Sequence, residues 1–104
     1  MLRYEVSVTV REDLRVRFEE YFTAKHILEI LATGCFASIR FDRGDSGAYR
    51  TVYHATTRAD LDRYLADHAP HFRADFAAHF PEGVVPSREV WGEIASWELP
   101  GGRA

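Results

Sequence analysis

Five side chains of this 104-residue sequence have the type and setting to handle a small molecule: His26, Ser38, Arg40, His68 and Arg73. Imidazole is the side chain whose ordinary pKa lies near neutrality. His26, at the edge of an apolar helical stripe, can therefore act as a general base or hydrogen-bond a ligand at a cavity mouth. The same residue also has a structural reading, as a histidine bonded to a backbone carbonyl at a helix joint. His68, Ala69, Pro70 and Arg73 bring an imidazole and a guanidinium close together in the chain, a pair that suits one carboxylate ligand. Equally, His68 ends one helix, Pro70 starts the next, and Arg73 bridges to an acid such as Asp67 or Glu29. Arg40 shares a strand face with Ser38, opposite apolar Ala37, Ile39 and Phe41. It either binds a ligand anion or pairs with Glu5 or with an acid of a second subunit.

Other chemistries have less support. His68 and His71 are three residues apart, as at some metal sites, but Pro70 interrupts the helical face such a pair needs and no Cys or carboxylate cluster completes a ligand set. The expectation is no metal and no cofactor, with His71 and His79 as solvated helix positions. Cys35 directly follows Gly34 and opens an apolar strand, which suits a buried, inert thiol. The glycine patterns of nucleotide sites, the serine elbow of hydrolases and the paired-histidine helix of metalloproteases are missing from the sequence. Tyr4, Tyr21, Tyr49, Tyr53, Tyr64, Trp91 and Trp97 either line a flat cavity or fill the core, with Trp91 and Trp97 the best interface residues among them.

These side chains need a scaffold, and periodicity supplies one. Tyr4, Val6, Val8 and Val10 alternate with Arg3, Glu5, Ser7 and Thr9, the pattern of a half-buried strand. Glu12 and Asp13 suit a helix start, and Leu14, Phe18, Tyr21 and Phe22 recur at helical spacing. The stripe changes face near His26, which predicts a kink or a new packing partner, and Gly34 reads as the C-cap. A second strand is expected over 35–42, with Phe36, Ser38 and Arg40 on one face, then a turn at 43–47 and a third strand over 49–56. Thr57 with Asp60 resembles a capping box. Two short helices joined at His68 and Ala69 follow, then a bent last strand over 84–99 and a fraying tail over 100–104. The single domain thus spans 1–99, in the order β-α-β-β-α-β. That is the α+β ferredoxin-like sandwich, an antiparallel four-stranded sheet with helices on one face. The bare face, with Glu5, Ser7, Ser38, Arg40 and Phe36, is too mixed for a core and is expected to be covered by a second subunit.

Composition agrees with a small folded domain. Hydrophobic residues at 46% and charged residues at 28% fall outside the disordered and membrane classes. A formal charge of -3, with thirteen scattered cations, offers no field for a nucleic-acid backbone. A lone cysteine, no leader-like start and no apolar run of bilayer length point to a cytoplasmic protein without a membrane anchor.

The stretch His26-Ile27-Leu28-Glu29, then Ala32-Thr33-Gly34-Cys35-Phe36 with Ser38 and Arg40, resembles the first signature of a family of short bacterial proteins known only as a domain of unknown function, of the 4286 type. Tyr64, His68-Ala69-Pro70 and Arg73 resemble its second. That family often has proline where this chain has Leu28. The resemblance, over roughly residues 3 to 95, implies membership of the dimeric α/β barrel superfamily, in which two ferredoxin-like sheets face each other around a cavity. The resemblance brings no activity with it; the polar face of Ser38 and Arg40 motivates the expectation of a homodimer whose barrel holds a small organic molecule. Alternatives are a cofactor-independent monooxygenase or isomerase, by analogy of fold, and a purely structural dimer.

Overall fold

The computed structural model describes residues 2–101. Strand β1 (Leu2–Val10) leads through a 3-10 turn (Glu12–Leu14) into helix α1 (Arg15–Tyr21), a π-helical turn (Phe22–His26) and helix α2 (Ile27–Leu31). Strands β2 (Ser38–Arg43) and β3 (Ala48–Ala55) form the hairpin. Helix α3 (Arg58–Arg63), a second π-helical turn (Tyr64–His68), helix α4 (Ala69–His79) and strand β4 (Val84–Gly92) complete the chain. The sheet order is β2-β3-β1-β4, with every described pairing antiparallel, and the helices pack on one face. The expected ferredoxin-like fold is the one observed.

The alternation of β1 puts Tyr4, Val8 and Val10 in the core, beneath the helices. Around one end of the sheet Tyr4 and Tyr53 pack with Ile30, Leu61, Tyr64 and Phe72. Around the other, Val8 and Tyr49 pack with Phe18, Phe22 and Phe80. Caps behave as read: the Thr57 hydroxyl accepts the Asp60 N–H at 3.1 Å, and Gly34 ends the first helical run at φ 75°. A Cβ added at Gly34 would meet nothing within 4 Å, so Gly34→Ala should cost backbone strain alone, about 1–2 kcal/mol. The denaturant midpoint should fall with its slope unchanged.

Three expectations are corrected, in the second helical run, at Phe36 and in the last strand, and the cause of the change of face near His26 is resolved. The change of face near His26 comes from a π turn, in which the Ile27 N–H reaches back to the Phe22 carbonyl. That wider turn keeps Phe22, His26 and Ile30 inside while leaving Leu28 and Leu31 exposed. Thr23 Oγ1 donates to the Glu19 carbonyl at 2.8 Å, a competing bond of the kind that loosens an α-helical ladder. The two short helices expected around His68 and Ala69 are instead one run carrying a second π turn, whose Ala69 N–H bonds the Tyr64 carbonyl. Pro70 has no N–H to give to such a ladder and sits in the first turn of α4, where none is needed. Phe36 lies in the core, 4.8 Å from the Tyr64 ring and 5.1 Å from Tyr53, because strand β2 begins only at Ser38. The last strand likewise stops at Gly92. Of the expected tail, residues 102–104 lie outside the described residues.

Candidate functional site

Between the sheet and the helices, where the two packing clusters meet, a cavity of about 30 Å³ remains. By this measure a water needs about 10–15 Å³, so the cavity has room for roughly two. Tyr4 and Tyr53 rise from the sheet to line it, Tyr64 and Phe72 enclose it from the second helical run, and Phe22 and His26 from the first. Arg73 on α4 and Arg88 on β4 also line it, and both are solvent-exposed, which puts their guanidinium groups at its open end. Arg73 Nη2 donates to the Tyr4 hydroxyl at 3.2 Å. Burial pushes the Tyr53 and Tyr64 hydroxyls well above their ordinary pKa, so both stay protonated. Two cations and no carboxylate line the cavity, in a chain whose formal charge is -3.

His26 is buried against aromatic rings, with Phe22 at 4.5 Å and the edges of Phe76 at 6.0 Å and Phe72 at 6.1 Å between centroids. Its Nδ1 lies 3.3 Å from the Tyr21 hydroxyl. That hydroxyl donates to Asp75 Oδ2 at 2.6 Å, and Lys25 Nζ donates to the same oxygen at 2.9 Å. Loss of water pushes the His26 pKa down to about 4, against the partial opposition of the Asp75 charge. The bonds from Tyr21 and then Lys25 pull Asp75 down to about 2. Burial, reinforced by Asp75, raises Tyr21 far above its usual value. At neutral pH the line is thus a neutral imidazole, a neutral phenol and a carboxylate.

The five residues singled out in the sequence do not form one site. His26 and Arg73 line the cavity. His68 stands beside it, its ring stacked 6.3 Å from Tyr64. Ser38 and Arg40 lie on the opposite, bare face of the sheet, which register assigns by pairing Ser38 with His54 and Arg40 with Val52. Arg40 makes no ion pair with Glu5 among the described residues, since Val52 stands between them in the register. Arg73 bonds Tyr4 in place of Asp67 or Glu29. Asp75 and Arg88 escaped the sequence reading because their partners are far away in the chain: Tyr21 precedes Asp75 by 54 residues.

The bare face forms a broad, open trough between β1, β2, β3 and the chain after β4. Arg3, Arg40, Arg50, Glu5 and Asp42 line it, together with Trp91 and Trp97. Arg50 and Asp42 pair at 3.4 Å. His54 also faces it, and its buried Nδ1 has no hydrogen-bond partner. The alternation of β3 would have placed His54 there, beside Arg50 and Val52. Trp91, Ile94 and Trp97 are 47%, 100% and 89% exposed, an apolar strip along one border. No described helix is long and apolar enough to cross a membrane.

Comparison with solved structures bears on the fold. The chain is similar to a candidate antibiotic biosynthesis monooxygenase from Deinococcus radiodurans, with TM-score 0.70 and 10% identity over 95% of this chain and 98% of that one. It is also similar to Rv0793 from Mycobacterium tuberculosis, with TM-score 0.64 and 16% identity over 94% and 100%. A third similar structure, another antibiotic biosynthesis monooxygenase, has TM-score 0.53 and 12% identity over 86% and 96%. At these identities the likeness establishes the common fold alone. No curated protein matches the sequence significantly. Residues 1–94 match the model of the family described as Domain of unknown function (DUF4286), and the chain belongs to that family.

Proposed function

We propose that this protein binds a small organic anion in the cavity between sheet and helices, and that it does so as a homodimer whose bare sheet faces meet. One observation carries the ligand reading: the cavity is apolar and aromatic, its remaining polar groups are neutral, and its open end holds two guanidinium groups with no acid to balance them. Such convergence of a few polar groups in an apolar hollow is the usual form of a ligand site. His26 and Arg73 are ligand-binding residues in this reading, joined by Arg88. His68 backs the Tyr64 wall.

The dimer accounts for the other two residues. Register puts Arg3, Arg40 and Arg50 on the bare face with Glu5, Asp42 and Glu89, and Glu93 of the following chain also lines the trough. A face carrying both signs can pair with its own two-fold copy, cation to anion, while the exposed tryptophans gain apolar cover. Ser38 and Arg40 then face the partner sheet. A bacterial cytoplasmic setting suits the single buried thiol. A polycyclic substrate of a monooxygenase or isomerase does not fit this cavity, because space for about two waters does not admit fused rings without opening the helical layer.

Calorimetric titration with small carboxylates tests the ligand, and light scattering the assembly. Saturable binding that is lost in an Arg73→Ala, Arg88→Ala double variant is the expected result. Failure of every small carboxylate to bind would end the anion reading, and a monomer at micromolar concentration would end the dimer.

A further inference from the structure

We infer that Asp75, acting through Tyr21, sets the tautomer of His26 so that the cavity selects an anion that also carries a hydrogen-bond donor: a small hydroxy acid over a plain carboxylate. The ligand class rests on the reading of the cavity as an anion site; the tautomer does not.

A phenol has one proton to give. The Tyr21 hydroxyl lies 2.6 Å from Asp75 Oδ2, and an ionised carboxylate is the stronger of its two neighbouring acceptors. Lys25, bonded to that oxygen at 2.9 Å, holds Asp75 in its ionised, acceptor-only form. Tyr21 therefore turns only lone pairs toward His26. The 3.3 Å contact with Nδ1 is a bond only if Nδ1 carries the proton. The other tautomer would set lone pair against lone pair inside the core and leave a buried acceptor unsatisfied. His26 is neutral, so a proton on Nδ1 leaves Nε2 bare.

Nε2 is the nitrogen left for the cavity. It makes no hydrogen bond among the described residues, and Phe22, Phe72 and Phe76 around the ring have nothing to donate. An occupant meets, on the inside, an acceptor that rewards O–H or N–H and, at the exposed end, the guanidinium groups of Arg73 and Arg88. Room for roughly two waters limits the buried part to a few heavy atoms, the size of a hydroxymethyl group with its carboxylate at the mouth. Tyr21 and Asp75 are positioning residues here, since neither lines the cavity.

Long-range proton–nitrogen correlation spectra of the labelled, ligand-free protein at neutral pH read the tautomer directly. A protonated Nδ1 with a bare Nε2 is expected, and the opposite assignment overturns the inference. Glycolate should bind about tenfold more tightly than acetate, which lacks the donor, and than methoxyacetate, in which it is blocked. Equal affinities overturn the selectivity. Tyr21→Phe keeps the ring and its packing, and should bring the three affinities together while shifting the His26 nitrogen signals. Unchanged signals and an unchanged preference would show that Tyr21 does not position the imidazole. If none of the three acids binds, the ligand class falls with the anion site, and the tautomer spectrum of the wild-type protein still judges the Asp75-Tyr21-His26 line.

Discussion

Acidification from about pH 7 to about pH 4 is expected to cost the native state about 3 kcal/mol through one side chain, His26. In the unfolded chain its imidazole titrates near its ordinary 6.5, whereas burial in the fold holds it down to about 4. Between those values the unfolded chain binds a proton that the native chain refuses, so stability is complete above about 6.5 and drains away as pH falls toward 4. Asp75 acts below that range. Its carboxyl is held at about 2 against an ordinary 3.8, so its contribution is present above 3.8 and lost on the way to 2. With 24% of that side chain in contact with water, the contribution amounts to no more than about 2 kcal/mol. The two effects add in sign, and acid unfolding should begin well above the carboxylate range. Denaturant unfolding across this pH range measures it, and His26→Gln should flatten the upper limb while leaving the lower. A wild-type stability constant between pH 7 and 4 would mean that the imidazole is not held neutral in the core.

Phe18→Ala is expected to cost about 3–5 kcal/mol, a large share of the roughly 5–15 kcal/mol that holds a domain together. Phe18 is fully buried, its ring stacked on Phe22 at 4.3 Å and close to Tyr49 at 4.8 Å and Phe80 at 5.7 Å. It thereby joins the first helix, the sheet and the end of the second helical run. Truncation leaves a hole that stiff aromatic neighbours fill poorly, and the melting temperature should fall by more than about 10 °C. Leu28→Ala, at a position 57% exposed on the same helical run, should change stability by less than about 0.5 kcal/mol. Similar losses from the two substitutions would contradict the packing described.

Both predictions depend on which way a helix faces, and this was only partly legible in the chain. Alternation in β1 and the Thr57 and Gly34 caps could be read directly, because they express contacts within a few residues. So could the element order, and with it the fold. The shift of the apolar stripe near His26 was visible too, but not the π turn behind it, nor the rings of Phe41, Phe72 and Phe76 on other elements against which that turn packs Phe22 and His26. Alternation extended two residues ahead of β2 puts Phe36 on the wrong face, since the strand starts only at Ser38.

The sequence by itself determined which residue types were available for a site and which face of its own strand or helix most of them would take. Only the tertiary structure decided that His26 and Arg73 share a cavity with Arg88, that the sheet separates this cavity from Ser38 and Arg40 on the bare face, and that Asp75 reaches His26 through Tyr21. The physical reason is distance along the chain. Periodicity records a residue's orientation on its own element, but the identity of the facing element follows from strand pairing and helix docking between segments tens of residues apart, and no local spacing encodes that.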